Sequence, residues 1–134
     1  MSKEVFEFLS AHRPFYMATV EGSAPRVRPM GFIMEHGGKI WFGMGTHKNV
    51  YKQLVANPKV EIVATGGPDS DWVRLSGEAV FDPRPELFQA ALAAMPHLKD
   101  IYPEGGPTMG LFSLAKGKAV FMTLRGQPSK EVDL

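Results

Sequence analysis

Apolar residues recur at every second position over most of this chain and at three- to four-residue spacing in a few short stretches. The first pattern sends side chains to alternate faces of a strand, and the second gathers them on one face of a helix. Ser2 to His12 reads as a short amphipathic helix, with Val5, Phe6 and Leu9 inward, Ser2 as a candidate cap and Pro14 as its stop. Phe15 to Val20 is rich in strand formers and runs into a turn signal at Glu21-Gly22-Ser23. From Pro25 to Glu35 the alternation is regular: Arg26, Arg28, Met30, Phe32 and Met34 share one face, and Val27, Pro29, Gly31 and Ile33 the other. Pro29 has no N–H to give to a ladder, so an open edge or an irregularity is expected there. His36-Gly37-Gly38-Lys39 predicts a hairpin loop into a strand from Ile40 to Met44.

The period then changes. Thr46 is placed to cap a helix running through Asn57, with Val50, Leu54 and Val55 inward and Pro58 blocking its continuation. Val60 to Ala64 predicts a short strand, and Trp72 to Phe81 a longer one with Val73, Leu75, Ala79 and Phe81 on one side. Pro85 to Leu98 predicts a helix. Leu111 to Leu114 and Lys118 to Leu124 predict two closing strands around a turn at Ala115-Lys116-Gly117. Strand follows strand without βαβ alternation. The expected fold is mainly β: an antiparallel barrel of about seven strands with three peripheral helices, in one domain spanning 1–134.

Composition bears on function more than on fold. Fifteen basic and 14 acidic residues leave a net charge of +1, mixed along the chain without a charged tail, so neither nucleic acid nor a membrane surface is an expected partner. The absence of cysteine removes disulfides, thiolate metal sites and thiol nucleophiles, and suits a cytoplasmic protein. Glu4 and Glu7 interrupt the first apolar residues, unlike a secretory leader, and the longest nearly apolar run, Ala90 to Met95, is too short to span a bilayer. The histidines form no pair with metal-ligand spacing and no serine lies in a Gly-x-Ser-x-Gly context, so neither a metal site nor a hydrolase triad is expected.

The stretch richest in chemistry is Gly43-Met44-Gly45-Thr46-His47-Lys48-Asn49, where a strand turns into a helix. The first turn of a helix carries free N–H groups and the positive end of its dipole, which together favour an anion. Thr46 adds a hydroxyl, Lys48 a charge and Asn49 an amide, a set suited to a terminal phosphate. The other reading is a capped surface helix with solvated polar residues. Lysine stands where the third glycine of a dinucleotide fingerprint would be, and no βαβ unit surrounds it. Arg26 and Arg28 are likewise open to two readings: a solvated pair, or a clamp for a phosphate or flavin edge beside apolar neighbours. Trp72, after an acidic loop, is a core anchor or an interface anchor.

Taken in order, Ala18-Thr-Val, Pro25-x-x-Arg28-Pro-Met-Gly-Phe-Ile, Ile40-Trp-Phe, Thr46-His-Lys48, Leu54-x-x-Asn57-Pro-Lys-Val60 and Trp72-Val-Arg-Leu-Ser-Gly77-Glu-Ala resemble the pyridoxamine 5′-phosphate oxidase-like family of FMN-binding split barrels. The resemblance extends from about Phe15 to Phe81 and more loosely beyond. It implies a Greek-key split barrel that binds FMN at the interface of a homodimer. It further implies phosphate contacts from Arg28 and from Thr46-His47-Lys48, with Asn49 beside them. The flavin and ribityl chain would then pass along Arg28, Pro29, Met30, Gly31 and Phe32 and along Trp41, Phe42 and Gly43, and Trp72 would reach the cofactor from the other subunit. Two departures matter. His47 replaces a family arginine, and the segment from Leu124 to Leu134 lacks the Arg-x-His substrate-phosphate motif of the vitamin B6 enzymes, so that reaction is not expected. Three classes follow: an FMN-dependent oxidoreductase on a small molecule, including the nitroimidazole-reductase-like branch; a flavin electron carrier or storage protein serving a redox partner; or a relative turned to F420 or haem, for which only His47 is placed as an axial ligand.

Overall fold

The computed structural model describes residues 3–123 and 128–134; Ser2, Leu124 and Arg125 lie outside them. Helix α1 (Lys3–Ala11) leads into strand β1 (Phe15–Glu21), which turns through Gly22 at φ 62° into β2 (Ala24–Met30). Strands β3 (Ile33–His36) and β4 (Lys39–Gly45) form the hairpin foreseen at His36-Gly37-Gly38-Lys39, whose glycines sit at φ 59° and 76°. Helix α2 (Asn49–Ala56), strand β5 (Lys59–Thr65) and strand β6 (Trp72–Phe81) follow. Helices α3 (Pro85–Ala94) and α4 (Leu98–Ile101) then precede β7 (Met109–Met122) and β8 (Pro128–Asp133). No helix among the described residues is long and apolar enough to cross a membrane.

All strand pairings are antiparallel, in the order β2-β1-β5-β6-β7-β4-β3, with β8 pairing β7 from the side. This is the mainly β split-barrel fold expected from the sequence. The sheet wraps one core made by the inward residues of β1, β4, β5, β6 and β7, with Phe15, Phe42, Phe112, Ile62 and Leu75 at its centre. Helix α1 contributes Val5 and Leu9, and α2 contributes Val50 and Leu54. A second core lies on the other side of β3 and β4, where Phe32, Met34, Trp41 and Leu111 meet Leu87 and Ala91 of α3 and Leu98 of α4. β4 is therefore buried on both faces, which removes the usual alternation.

Several expectations need correction. The predicted strand from Pro25 to Glu35 is two strands, because the ladder stops at Gly31-Phe32. The break resets which face each residue takes, so Ile33 joins Met30 against the barrel core while Phe32 and Met34 turn to the second core. The Pro85–Leu98 helix ends at Ala94, since Pro96 removes an N–H donor and restricts Met95. Ala115-Lys116-Gly117 is not a turn. β7 runs through it as one 14-residue strand, absorbing the irregularity with Lys116 at φ 53° opposite a bulge between Ser76 and Glu78 of β6. Val55, expected inward, is 61% exposed, and Gln53 takes its place in the interior. β8 had no counterpart in the predicted pattern.

Candidate functional site

The site begins where β2 gives way to β3. Pro25 and Pro29 suit β2 to the sheet edge, where a missing donor costs nothing. The chain then passes through Gly31-Phe32 without a partner strand, leaving the backbone beside Gly31 open; a Cβ there would meet nothing within 4 Å. Facing it are the end of β4 and the turn into α2 on one side, and α4 with the segment before it on the other. Together these elements enclose a groove of about 470 Å³ lined by Pro29, Met30, Gly31, Gly43 and Lys48, among others. Those five residues, predicted from three separate stretches, are thus brought onto one surface.

Gly43 is required by packing. A Cβ would lie 2.4 Å from the Met109 Cε and 2.8 Å from the Leu111 Cδ2, so the bare backbone lets β7 side chains close the groove floor. Trp41 and Phe42 flank it with side chains committed elsewhere. Trp41 is buried in the second core and donates its indole N–H to the His36 carbonyl at 2.9 Å, while Phe42 is buried in the barrel core. Neither Trp41 nor Phe42, both expected along the cofactor, lines the groove.

The turn after β4 also differs from expectation. Helix α2 starts at Asn49, and its N-cap position is Lys48, with extended backbone and no side-chain cap bond; Thr46 is not the cap. The Thr46 hydroxyl instead meets the Thr108 hydroxyl at 2.6 Å, and the Thr46 N–H donates to the Thr108 carbonyl at 2.9 Å. Thr46 thereby fastens the turn to the loop before β7. The His47 ring lies over Gly45, where a Cβ would come within 2.5 Å of it. The side chains of His47, Lys48 and Asn49 are exposed and make no hydrogen bond or ion pair with the described residues, which leaves a free ammonium at the positive end of α2.

Arg28 takes a different place. It lies opposite Met17 in the β1–β2 ladder and turns toward α2. One guanidinium nitrogen donates to the Met17 carbonyl at 3.1 Å and the Thr19 hydroxyl at 2.8 Å, and the other donates to the Gln53 Oε1 at 2.7 Å. Thr19 also donates to Gln53 Oε1 at 2.6 Å, and the Gln53 amide donates to Glu21 at 3.0 Å. Partial burial pulls the Arg28 pKa below the ordinary arginine value, though a guanidinium remains charged. Gln53 and Arg26 hold the Glu21 carboxyl below its ordinary range.

Trp72 lies on the outer surface of β6, half-buried, donating to the Thr123 carbonyl at 3.3 Å, with the Arg74 guanidinium 5.0 Å over its ring. It does not line the groove of its own chain. The groove residues that went unforeseen include the polar ones Arg13, His97 and Tyr102. Arg13 donates to the Ser10 carbonyl at 3.2 Å and to the Gly31 carbonyl at 3.4 Å, which sets its guanidinium at the groove rim. Burial pushes the Tyr102 phenol above its ordinary pKa, so it stays protonated. Among the described residues, no group of three His, Asp or Glu side chains is placed to hold a metal ion.

Known proteins match this architecture. The sequence profile described as pyridoxamine 5′-phosphate oxidase matches residues 1–120. A NimC/NimA family protein from Clostridium acetobutylicum is 36% identical, with 98% of this chain and 91% of that chain covered and a TM-score of 0.88. General Stress Protein 26 from Bacillus anthracis is 14% identical over 98% of each chain, with a TM-score of 0.72. A pyridoxamine 5′-phosphate oxidase-related, FMN-binding protein from Nostoc punctiforme is 20% identical over 96% of this chain and 84% of that chain, with a TM-score of 0.61. No curated protein matches the sequence significantly.

Proposed function

The chain belongs to the pyridoxamine 5′-phosphate oxidase-like family, and on that premise we propose that it is an FMN-binding oxidoreductase acting on a small organic molecule. The observation that carries this reading is the groove that collects Pro29, Met30, Gly31, Gly43 and Lys48. Its size falls within the few hundred Å³ usual for small-molecule sites. Its walls are apolar, with Met30, Phe32, Met44 and Met109 suited to a flat tricyclic ring, and the basic groups of Lys48 and Arg13 suit a phosphate dianion. Bare backbone at Gly31 leaves room for a ring to lie against the chain, which a side chain would block.

Lys48 and Arg13 would hold the phosphate, and the Pro29–Gly31 backbone and Met30 would pack along the ring. Bound FMN would supply the redox chemistry, accepting and passing on electrons or hydride. The polypeptide would supply orientation and exclusion of water. Arg28 fits a supporting role in this scheme, since its donors hold Thr19 and Gln53 and so fix β2 against α2.

We further propose a homodimer. Pro29, Tyr16, Val63 and Arg74 lie side by side on the outer face of the sheet, with Trp72 beside Arg74. Tyr16 is 44% exposed and Val27, on the same face, 70% exposed, an apolar surface suited to a second copy. Pro29 belongs both to this face and to the groove, so a partner seated here would border the cofactor. The visible absorption spectrum of the purified protein, before and after incubation with FMN and gel filtration, tests the reading. A flavin spectrum retained at one equivalent per chain supports it, and failure to retain flavin from a micromolar excess overturns it.

A further inference from the structure

Next to the cofactor groove lies a second and larger cavity, about 730 Å³, between α3, α4 and the loop before β7. Tyr102 and Met109 line both cavities, so the two share a wall. We propose that this second cleft binds an uncharged, planar aromatic molecule and that the Tyr102 hydroxyl donates a hydrogen bond to it. The proposal rests on the cofactor reading only in assigning that molecule as the substrate.

Four observations support it. The cleft walls combine Phe88, Leu92, Tyr102 and Met109 with the prolines at 103 and 107, surfaces on which a flat ring packs well. Its only charged lining residues are Lys99 and Glu104, which offset one another, so no net field favours a phosphate or another anion. Tyr102 as a residue is 9% exposed, and its hydroxyl makes no hydrogen bond among the described residues. The hydroxyl is not among the fully buried unpartnered atoms, so it reaches accessible space with its donor uncommitted and can give it to a ligand. Finally, the outer wall is a preformed turn, with the Gly106 N–H bonded to the Pro103 carbonyl at 2.9 Å and Gly105 at φ 78°, in the left-handed region. A ligand meeting such a wall loses little affinity to loop ordering.

Coumarin, neutral and planar with a carbonyl acceptor, is a suitable probe, and coumarin-3-carboxylate is its anionic counterpart. Titrations followed by ¹H–¹⁵N correlation spectra would use the protein with and without added FMN. The largest coumarin shifts are expected at the Gly105, Gly106 and Thr108 amides, and FMN should not displace the probe. Tyr102→Phe should weaken coumarin binding by roughly three- to tenfold, the worth of one neutral hydrogen bond. Coumarin should bind the unaltered protein more tightly than its carboxylate, and Glu104→Lys, an exposed change, should narrow that gap. Shifts centred elsewhere, displacement by FMN, equal binding of the two probes, or unchanged affinity in Tyr102→Phe would each overturn the proposal. Coumarin binding in the cleft by a protein that takes up no FMN would support the cleft while removing the cofactor reading.

Discussion

Gln53 is the residue on which the interior of this protein depends most unevenly. It accepts from Thr19 and Arg28 and donates to Glu21, joining β1, β2 and α2 through one side chain. Gln53→Ala leaves a buried hydroxyl and a guanidinium donor unsatisfied, and urea denaturation should show a loss of about 2 kcal/mol. The same network gives an acid-sensitive term. Hydrogen bonds from Gln53 and Arg26 depress the folded-state pKa of Glu21, so its stabilising contribution is present above the unfolded glutamate value of about 4.3 and is lost as pH falls through the lower folded value. The stability difference between the unaltered protein and Glu21→Gln should therefore be full at pH 7 and shrink toward pH 3. At this scale the sequence was only partly legible. Alternation along β2 put Arg28 on the same face as Met30, as observed, but Gln53 showed no signal because a polar residue on a two-turn helix reads as solvated. Arg13 was equally hidden, since its approach to Gly31 comes from the path of the chain after α1 and from no local spacing.

β6 and β7 cross the whole sheet as its longest strands, and their matched irregularity is the least forgiving part of the fold. At Gly77 a Cβ would stand 2.9 Å from the Ala115 carbonyl oxygen, a backbone atom that has no rotamer by which to retreat. Gly77→Ala should cost about 1–3 kcal/mol by the same denaturation measurement, the range for overpacking. Gly43→Ala meets the flexible end of Met109 first, so Met109→Ala should recover part of its loss. Element type was mostly legible here, because period-two and helical patterns are long enough to stand out. Boundaries failed where backbone geometry is set by a distant partner. The Ala115-Lys116-Gly117 segment reads as a turn, yet pairing with β6 carries the strand through it. β8 lacks an apolar run, and its place is fixed by pairing with β7 and by the Lys130–Glu4 ion pair to α1.

The whole molecule is a split barrel with a second core under α3 and α4, and the groove lies where these two bodies meet. Motif order along the chain made the fold and family legible. Sequence gave no hint of the second cleft, because Phe88, Tyr102 and Met109 converge only through the turns around Pro96 and Pro103. A homodimer predicts that Trp72→Ala weakens both self-association and flavin retention, which sedimentation velocity with and without FMN would measure. Pyridoxine 5′-phosphate should be oxidised poorly if at all, since Lys130 is engaged with Glu4 and the second cleft carries no excess positive charge. Aldehyde formation under air at roughly the common enzyme median of 10 s⁻¹ would argue against that expectation. Titrating flavin-free protein with FMN and with riboflavin, and following flavin fluorescence, shows whether the groove holds FMN by its phosphate. Charge-assisted contacts of about 1.5–3 kcal/mol each should make FMN tighter by one to two orders of magnitude, with most of that advantage lost in Lys48→Ala and kept in a Lys52→Ala control, which lies one turn further along α2 and outside the groove lining. Equal affinity for the two flavins, or equal losses from the two lysine variants, would contradict it.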